Sequence, residues 1–400
     1  MRIAIDTNCI LPGQVGGIEN YTIALIEALR LPDSPAAELV LLTRHENHDL
    51  FGRFLGARTV VIQVERPLHT GQPVTNWSRL LAEHPVTGRR TLETFQRRKA
   101  DLLRRLSVDL VHFPGNTVNP LELDLPIVLN LHDLQHRHFP HYFTPAEIEN
   151  RERWWRASAD RADALVAASN FVRNDLTAQW QIPESKIFVT PDPLESVFLT
   201  TPSQERLTAL RSRLELPETF FIYPAAAWPH KNHACLIRAF AAAGLDNTQL
   251  LLSGGNQANS PLPGLISSLG AGSQIRLLGR VSTEDLIGLY HLATAMIFPS
   301  QHESWSIPVM EAMACGCPIA CSNVTSLPEE IGDAGLLFSP NDEPAMTAAI
   351  QRLAGDADLR RTFSARGRKR VTAFTPQAFL KTLTQAYQHA TAAHRAQRAA

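Results

Sequence analysis

The stretch from Pro299 to Pro318 concentrates residue types that can handle a sugar phosphate. It leaves an apolar run at 295–298, crosses the polar loop Ser300-Gln301-His302-Glu303-Ser304-Trp305-Ser306, and enters a segment with Ile307 and Pro308 at its start and Gly316 at its end. Proline favours the first helical turn and glycine follows the last, so the spacing predicts a strand, a loop and a helix. The N-terminus of such a helix presents unbonded N–H groups and the positive end of its dipole, which suits a phosphate. Glu303 on the loop and Glu311 inside the helix add two carboxylates that can accept hydrogen bonds from sugar hydroxyls. An arbitrary pair of glutamates is ordinary solvated surface, but these two flank one strand–loop–helix corner.

Other chemistries are weaker. Cys315, Cys317 and Cys321 with His302 could be read as metal ligands, but their spacing does not match paired Cys-x-x-Cys elements. No Asp-x-Asp motif is read to hold a divalent ion on a diphosphate, so neither a metal nor another cofactor is expected. Gly16-Gly17 lets the backbone approach a ligand closely, yet no Gly-x-Gly-x-x-Gly dinucleotide fingerprint occurs. The segment 89–105 carries Arg89, Arg90, Arg97, Arg98, Lys99, Arg104 and Arg105 against Glu93 and Asp101. Its ordinary reading is a solvated helix face; the sharper one is contact with an anionic membrane surface or a lipid-diphosphate acceptor.

These residues need a frame. At 400 residues and 44.3 kDa the chain is long enough for two domains and a cleft between them. A composition 44% hydrophobic and 19% charged describes a folded chain, and a net charge of -1 gives no global attraction to nucleic acid. Five scattered cysteines, no signal-peptide pattern and no run of about 20 apolar residues fit a reducing cytoplasm. Apolar runs at 2–5, 38–43, 59–64, 109–113, 127–131 and 164–168 read as buried strands, with helices at 91–106 and 145–160 between them. After helix-breaking clusters at 190–193 and 200–203 the alternation restarts, with strands at 220–223, 249–253, 275–278, 295–298, 318–322 and 335–338. Such alternation implies α/β domains with mostly parallel sheets. The expected division is 1–195, 205–372, and a C-terminal helix with a frayed tail over 373–400.

The corner resembles the signature of the retaining glycosyltransferases of family 4. Glu303, Glu311-Ala312-Met313-Ala314-Cys315-Gly316, Pro318, Ser326-Leu327-Pro328-Glu329 and Gly332-Asp333-Ala334-Gly335-Leu336 together carry the likeness, which extends over most of the chain. The resemblance implies a GT-B architecture: two Rossmann-like domains facing an interdomain cleft, with the C-terminal helix crossing back to the first. It implies that Glu303 contacts hydroxyls of the transferred sugar and that Glu311 holds the nucleotide ribose. Gly17 and the loop amides of Ser304, Trp305, Ser306 and Ile307 would then face the donor. Pro229-His230-Lys231-Asn232-His233 stands where the family has its phosphate-binding lysine, making Lys231 the group that stabilises the leaving diphosphate. His132, at the end of a strand, stands where relatives place a histidine contacting the transferred sugar.

The chain departs from the family at Ala226, where an arginine is common, and at Ser304 and Ser306, which replace glycines; a serine there is strained if positive φ is required. The stretch Leu131-His132-Asp133-Leu134-Gln135-His136 is similar to bacterial polysaccharide mannosyltransferases. The implied activity is therefore retaining transfer of a hexose from a nucleotide-diphosphate sugar to a saccharide or lipid-linked acceptor in surface polysaccharide assembly. GDP-mannose is the expected donor, with a UDP-sugar as the other choice. Alternative readings are a phosphorylase or epimerase on the same fold, or a non-catalytic nucleotide-sugar-binding partner subunit.

Overall fold

The computed structural model describes residues 1–13, 17–64, 68–69, 72–73 and 84–399. The chain divides into two compact units, one of Met1–Ala168, Arg173–Thr190 and Pro376–Ala400, the other of Ser169–Val172 and Pro191–Thr375.

The first unit is built on a seven-stranded sheet of β1 (Arg2–Asp6), β2 (Glu38–Thr43), β3 (Thr59–Gln63), β6 (Leu110–Phe113), β7 (Ile127–Asn130), β8 (Ala164–Ala167) and β9 (Ile187–Val189), with β4 (Leu68–His69) and β5 (Gln72–Pro73) forming a separate antiparallel pair. All seven strands are parallel, in the order β3-β2-β1-β6-β7-β8-β9. β6, β7 and β8 are buried along their whole length, which is why they read as continuous apolar runs. β9 was not expected from the sequence: it is a three-residue edge strand, too short for a periodic signal. The expected 145–160 helix is interrupted by a π-helical stretch, Arg151–Trp155. The last helix, Pro376–Ala399, belongs to this unit, as the resemblance implied. Its Phe379, Leu380, Leu383 and Tyr387 join Ile3, Ile5, Leu25 and Leu110 in one core. It stays helical to Ala399, which corrects the expectation of a frayed tail. Alanine-rich sequence has high helix propensity, and Ala386 and Ala390 are buried in the same core.

The second unit carries six parallel strands, β10 (Thr219–Pro224), β11 (Thr248–Ser253), β12 (Ile275–Gly279), β13 (Ala295–Phe298), β14 (Ile319–Ser322) and β15 (Gly335–Phe338). Their order, β12-β11-β10-β13-β14-β15, reverses between β10 and β13. Loops leaving the carboxyl ends of two such neighbours diverge and open a crevice, the usual ligand site of an open α/β sheet. Among the described residues, no helix is long and apolar enough to cross a membrane.

Candidate active site

Lys231 follows β10 and Glu303 follows β13, so the strand reversal brings together two residues 72 positions apart. Lys231 Nζ donates to Glu303 Oε1 at 2.6 Å, with both side chains largely covered. The turn bearing Lys231 is fixed from three sides. Tyr223 Oη on β10 donates to the Lys231 carbonyl at 2.7 Å, and the Gln301 N–H donates to the His230 carbonyl at 2.8 Å. Asn232 sits in the left-handed region at φ 58° and donates through Nδ2 to the carbonyls of Pro299 (3.2 Å) and Pro340 (2.7 Å). Asparagine tolerates that conformation and supplies the two-carbonyl clamp, a role the sequence reading did not give it.

The helix Ile307–Cys315 begins beside Glu303 and ends at Gly316 with φ 75°, as the spacing predicted. Its amide supply is narrower than expected. The Ser306 N–H donates to Glu330 Oε2 at 2.9 Å, Pro308 has no N–H, and the amides of Val309 and Met310 bond to the Ser306 carbonyl. Among the described bonds the Ile307 N–H is thus the first-turn amide left for an anion, and of Ser304, Trp305, Ser306 and Ile307 only Ser304 and Ile307 are half-buried rather than buried. The Ser306 amide therefore does not face a diphosphate in this structure. Trp305 turns its ring inward, edge-on to Phe374 at 5.1 Å, with Nε1 donating to Met310 Sδ at 3.0 Å. Ser306 has φ −105°, and Ser304 is not among the described positive-φ residues, so serine replaces glycine in this loop without backbone strain.

Glu311 lies one turn into the same helix and is 8% exposed. Tyr290 Oη donates to its Oε2 at 3.0 Å. Burial pushes the Glu311 carboxyl up to about 7; the Tyr290 hydrogen bond opposes this and the nearby Glu195 adds to it. A ribose diol offered to this carboxyl would replace lost water with directed hydrogen bonds. Behind the loop, Thr325 holds φ 55°, a strained conformation for a β-branched residue that costs on the order of 1–3 kcal/mol. Its Oγ1 accepts from the Glu303 N–H at 3.1 Å. Thr325, Glu330 and Tyr290 were not anticipated, because nothing in their sequence spacing points to Glu303, Ser306 or Glu311.

His132 and Gly17 belong to the first unit, and no hydrogen bond joins them among the described residues. His132 follows β7; its N–H donates to Asn116 Oδ1 at 2.9 Å, and Nε2 lies 2.8 Å from the Pro114 carbonyl. A carbonyl can only accept, so Nε2 carries the proton and Nδ1 is left as the acceptor. Burial lowers the His132 pKa, which keeps the ring neutral, although the Pro114 contact and Asp133 oppose the shift. Gly17 is exposed at the start of the helix Gly17–Leu29, with open space where a Cβ would sit. Gly16 lies outside the described residues.

Lys99 is removed from the basic face: it is buried in an ion pair with Asp6 at the carboxyl end of β1. Arg89, Arg90, Arg97, Arg98, Arg104 and Arg105 remain exposed on the helix Pro85–Arg105. The chain does contain one Asp-x-Asp, Asp356-Ala357-Asp358, contrary to the sequence reading. It is a helix start: Asp356 caps the Leu359 N–H at 2.8 Å and Asp358 pairs with Arg361. Cys315, Cys317 and Cys321 are all buried, and Cys315 Sγ contacts the Phe198 carbonyl at 3.7 Å.

Comparison with known proteins completes the picture. Residues 209–370 match the family model described as glycosyl transferases group 1, and residues 15–195 match that of glycosyltransferase family 4. The chain is 31% identical over 275 residues to O-antigen chain mannosyltransferase B of Escherichia coli, covering 68% of this chain and 72% of that protein. It is 30% identical over 216 residues to the serotype-specific mannosyltransferase WbdA of the same organism, covering 52% of this chain but only 26% of WbdA. HepE of Anabaena, solved in complex with UDP-glucose, superposes with a TM-score of 0.71 at 17% identity over 96% of this chain and 98% of HepE, a likeness of fold. Two matching domain models, a parallel-sheet fold in both units and a relative matched over most of its length place the chain in family 4 of the glycosyltransferases, as a hexosyltransferase of GT-B fold.

Proposed function

We propose that the protein transfers mannose, with retention of configuration, from GDP-mannose to a saccharide or lipid-linked acceptor in surface polysaccharide assembly. The observation that carries this reading is the 2.6 Å Lys231–Glu303 pair at the β10/β13 reversal, one loop away from the helix bearing Glu311. Glu311 takes the ribose hydroxyls, and the Ile307 amide and Lys231 take the diphosphate. Glu303 faces the hexose, which it can do while still paired with Lys231 because a carboxylate has acceptor capacity to spare. His132 offers Nδ1 as an acceptor to a sugar hydroxyl, and Gly17 offers the donor an unobstructed backbone approach.

In the reaction the bond between the sugar C1 and the diphosphate oxygen breaks, and the electron pair leaves with GDP. The acceptor hydroxyl forms the new C1–O bond on the same face and passes its proton to the departing phosphate. Lys231 and the helix N-terminus stabilise the charge that develops, so no metal or other cofactor is assigned. Mannose is favoured by the two mannosyltransferase relatives; a UDP-sugar donor is the second reading, favoured by the UDP-glucose bound to HepE. The exposed arginines of the helix Pro85–Arg105 suit an anionic acceptor or the cytoplasmic face of a membrane.

Incubation with a panel of GDP- and UDP-sugars, followed by NMR of the product, tests the proposal. Acceptor-dependent release of GDP with an α-linked mannoside is expected. Turnover that requires inorganic phosphate, or epimerised donor without transfer, would replace it with a phosphorylase or an epimerase. Donor binding without turnover would leave a partner subunit.

A further inference from the structure

The loop that carries Glu303 is held from behind by a single short segment. Thr325 Oγ1 accepts from the Glu303 N–H at 3.1 Å and donates to the Val324 carbonyl at 2.8 Å. Ser326 Oγ donates to the Glu303 carbonyl at 3.2 Å. Glu330, on the helix Leu327–Ile331, accepts from the Ser306 N–H through Oε2 at 2.9 Å. Both backbone polar groups of Glu303 are thereby fixed, which sets the direction in which its side chain leaves toward Lys231. The amide that opens the helix Ile307–Cys315 is fixed as well.

Two features set this segment apart from ordinary packing. Thr325 adopts φ 55°, a backbone that glycine would take freely, but glycine has no hydroxyl to offer Glu303. Glu330 is fully buried, with Glu303, Asp192 and Glu329 as acidic neighbours and, among the described residues, one hydrogen-bond donor, the Ser306 N–H. Burial first, and those three carboxylates, push its pKa well above the ordinary carboxylate range against the opposing Ser306 hydrogen bond, a net shift that favours the protonated form. Oε1 and Ser306 Oγ have no hydrogen-bond partner among the described residues. A buried acid with one directed bond gives less packing than a leucine of similar size; what it contributes is an acceptor aimed at the donor loop.

We propose that Thr325 and Glu330 are positioning residues for sugar transfer: they hold Glu303 and the Ser306 amide so that the carboxylate meets the hexose and the helix N-terminus meets the diphosphate. The inference rests on the reading of Glu303 as the residue facing the transferred sugar. It acts on geometry rather than on ground-state binding, so loss of either hold should lower kcat more than it raises KM.

Three variants of the full chain test it: Thr325→Val, which removes the hydroxyl at nearly constant volume; Glu330→Gln, which keeps a neutral acceptor; and Glu330→Leu, which removes it. Thr325→Val and Glu330→Leu are expected to lose about 10- to 100-fold in kcat, the scale of a small misplacement of a reacting group, with donor KM little changed. Glu330→Gln should retain activity close to the parent. In the free protein, amide exchange at Glu303 should accelerate in Thr325→Val and at Ser306 in Glu330→Leu. Parent-like kcat in both Thr325→Val and Glu330→Leu overturns the proposal, as does a Glu330→Gln variant as impaired as Glu330→Leu. If Glu330→Leu does not fold, Thr325→Val and Glu330→Gln decide. If the parent turns over no nucleotide sugar, the reading of Glu303 falls separately, and unchanged exchange at Glu303 and Ser306 would still refute the hold itself.

Discussion

At the scale of single residues, the site is organised around charges that are covered but not neutralised at random. Lys231 and Glu303 satisfy each other at 2.6 Å, so in the proposed reaction a donor diphosphate would meet an ammonium already oriented. Removing it should act mainly on the step in which charge develops: Lys231→Ala is expected to lower kcat by about 10²- to 10³-fold, measured by single-turnover transfer, with a smaller effect on nucleotide affinity. Glu311 makes a pH prediction. Its folded pKa of about 7 lies above the ordinary carboxyl value, so the folded state binds the extra proton. Stability from this group is present below the unfolded pKa and is lost as pH rises toward 7, by up to about 3 kcal/mol. Urea titrations of the parent and Glu311→Gln across pH 4 to 8 should show a steeper loss of stability with rising pH in the parent than in the glutamine variant; parallel curves would contradict it. Glu303, Glu311 and Lys231 were legible because their residue types, spacing and family position coincide. Glu330 was not, because the sequence places a second glutamate beside Glu329 and gives no sign that it is fully buried.

At the scale of elements, the helix Ile307–Cys315 was legible at both ends. Pro308 lacks an amide that the first turn does not need, and Gly316 takes the left-handed cap at φ 75°. The Arg368 guanidinium closes that end through the Ala314 and Cys315 carbonyls, and it occupies the space a Cβ at 316 would need. Gly316→Ala should therefore destabilise by about 1–2 kcal/mol from backbone conformation alone, with the arginine contact adding to it, as a lowered urea midpoint would report. The segment behind the donor loop was hidden for a physical reason. Its three bonds join residues 22 to 24 positions apart, and side chain-to-backbone bonds at that separation leave no periodic trace. The edge strand Ile187–Val189 was missed because three residues cannot display a period.

At the scale of the whole chain, two rounds of strand–helix alternation made both units legible, whereas the return of the last helix to the first unit followed from family resemblance and not from any pattern in that helix. The structure gives the physical tie. Tyr387 Oη lies 2.8 Å from His112 Nδ1, and His112 Nε2 lies 2.6 Å from Asn130 Oδ1, a buried chain joining the C-terminal helix to β6 and β7. Burial, opposed by the Asn130 bond, depresses the His112 pKa to about 4, so the neutral ring donates to Asn130 and accepts from Tyr387. Tyr387→Phe keeps the ring but orphans His112 Nδ1, and should cost about 1–3 kcal/mol of stability by urea unfolding. Above these details stands the claim that the β10/β13 corner binds a nucleotide sugar through Glu311 and Lys231. Calorimetric titration of GDP-mannose into the parent and into Glu311→Ala tests it most directly. Saturable binding to the parent is expected, weakened about tenfold or more in the variant by loss of a charged or strongly polar hydrogen bond. Equal affinity in the two proteins would contradict it.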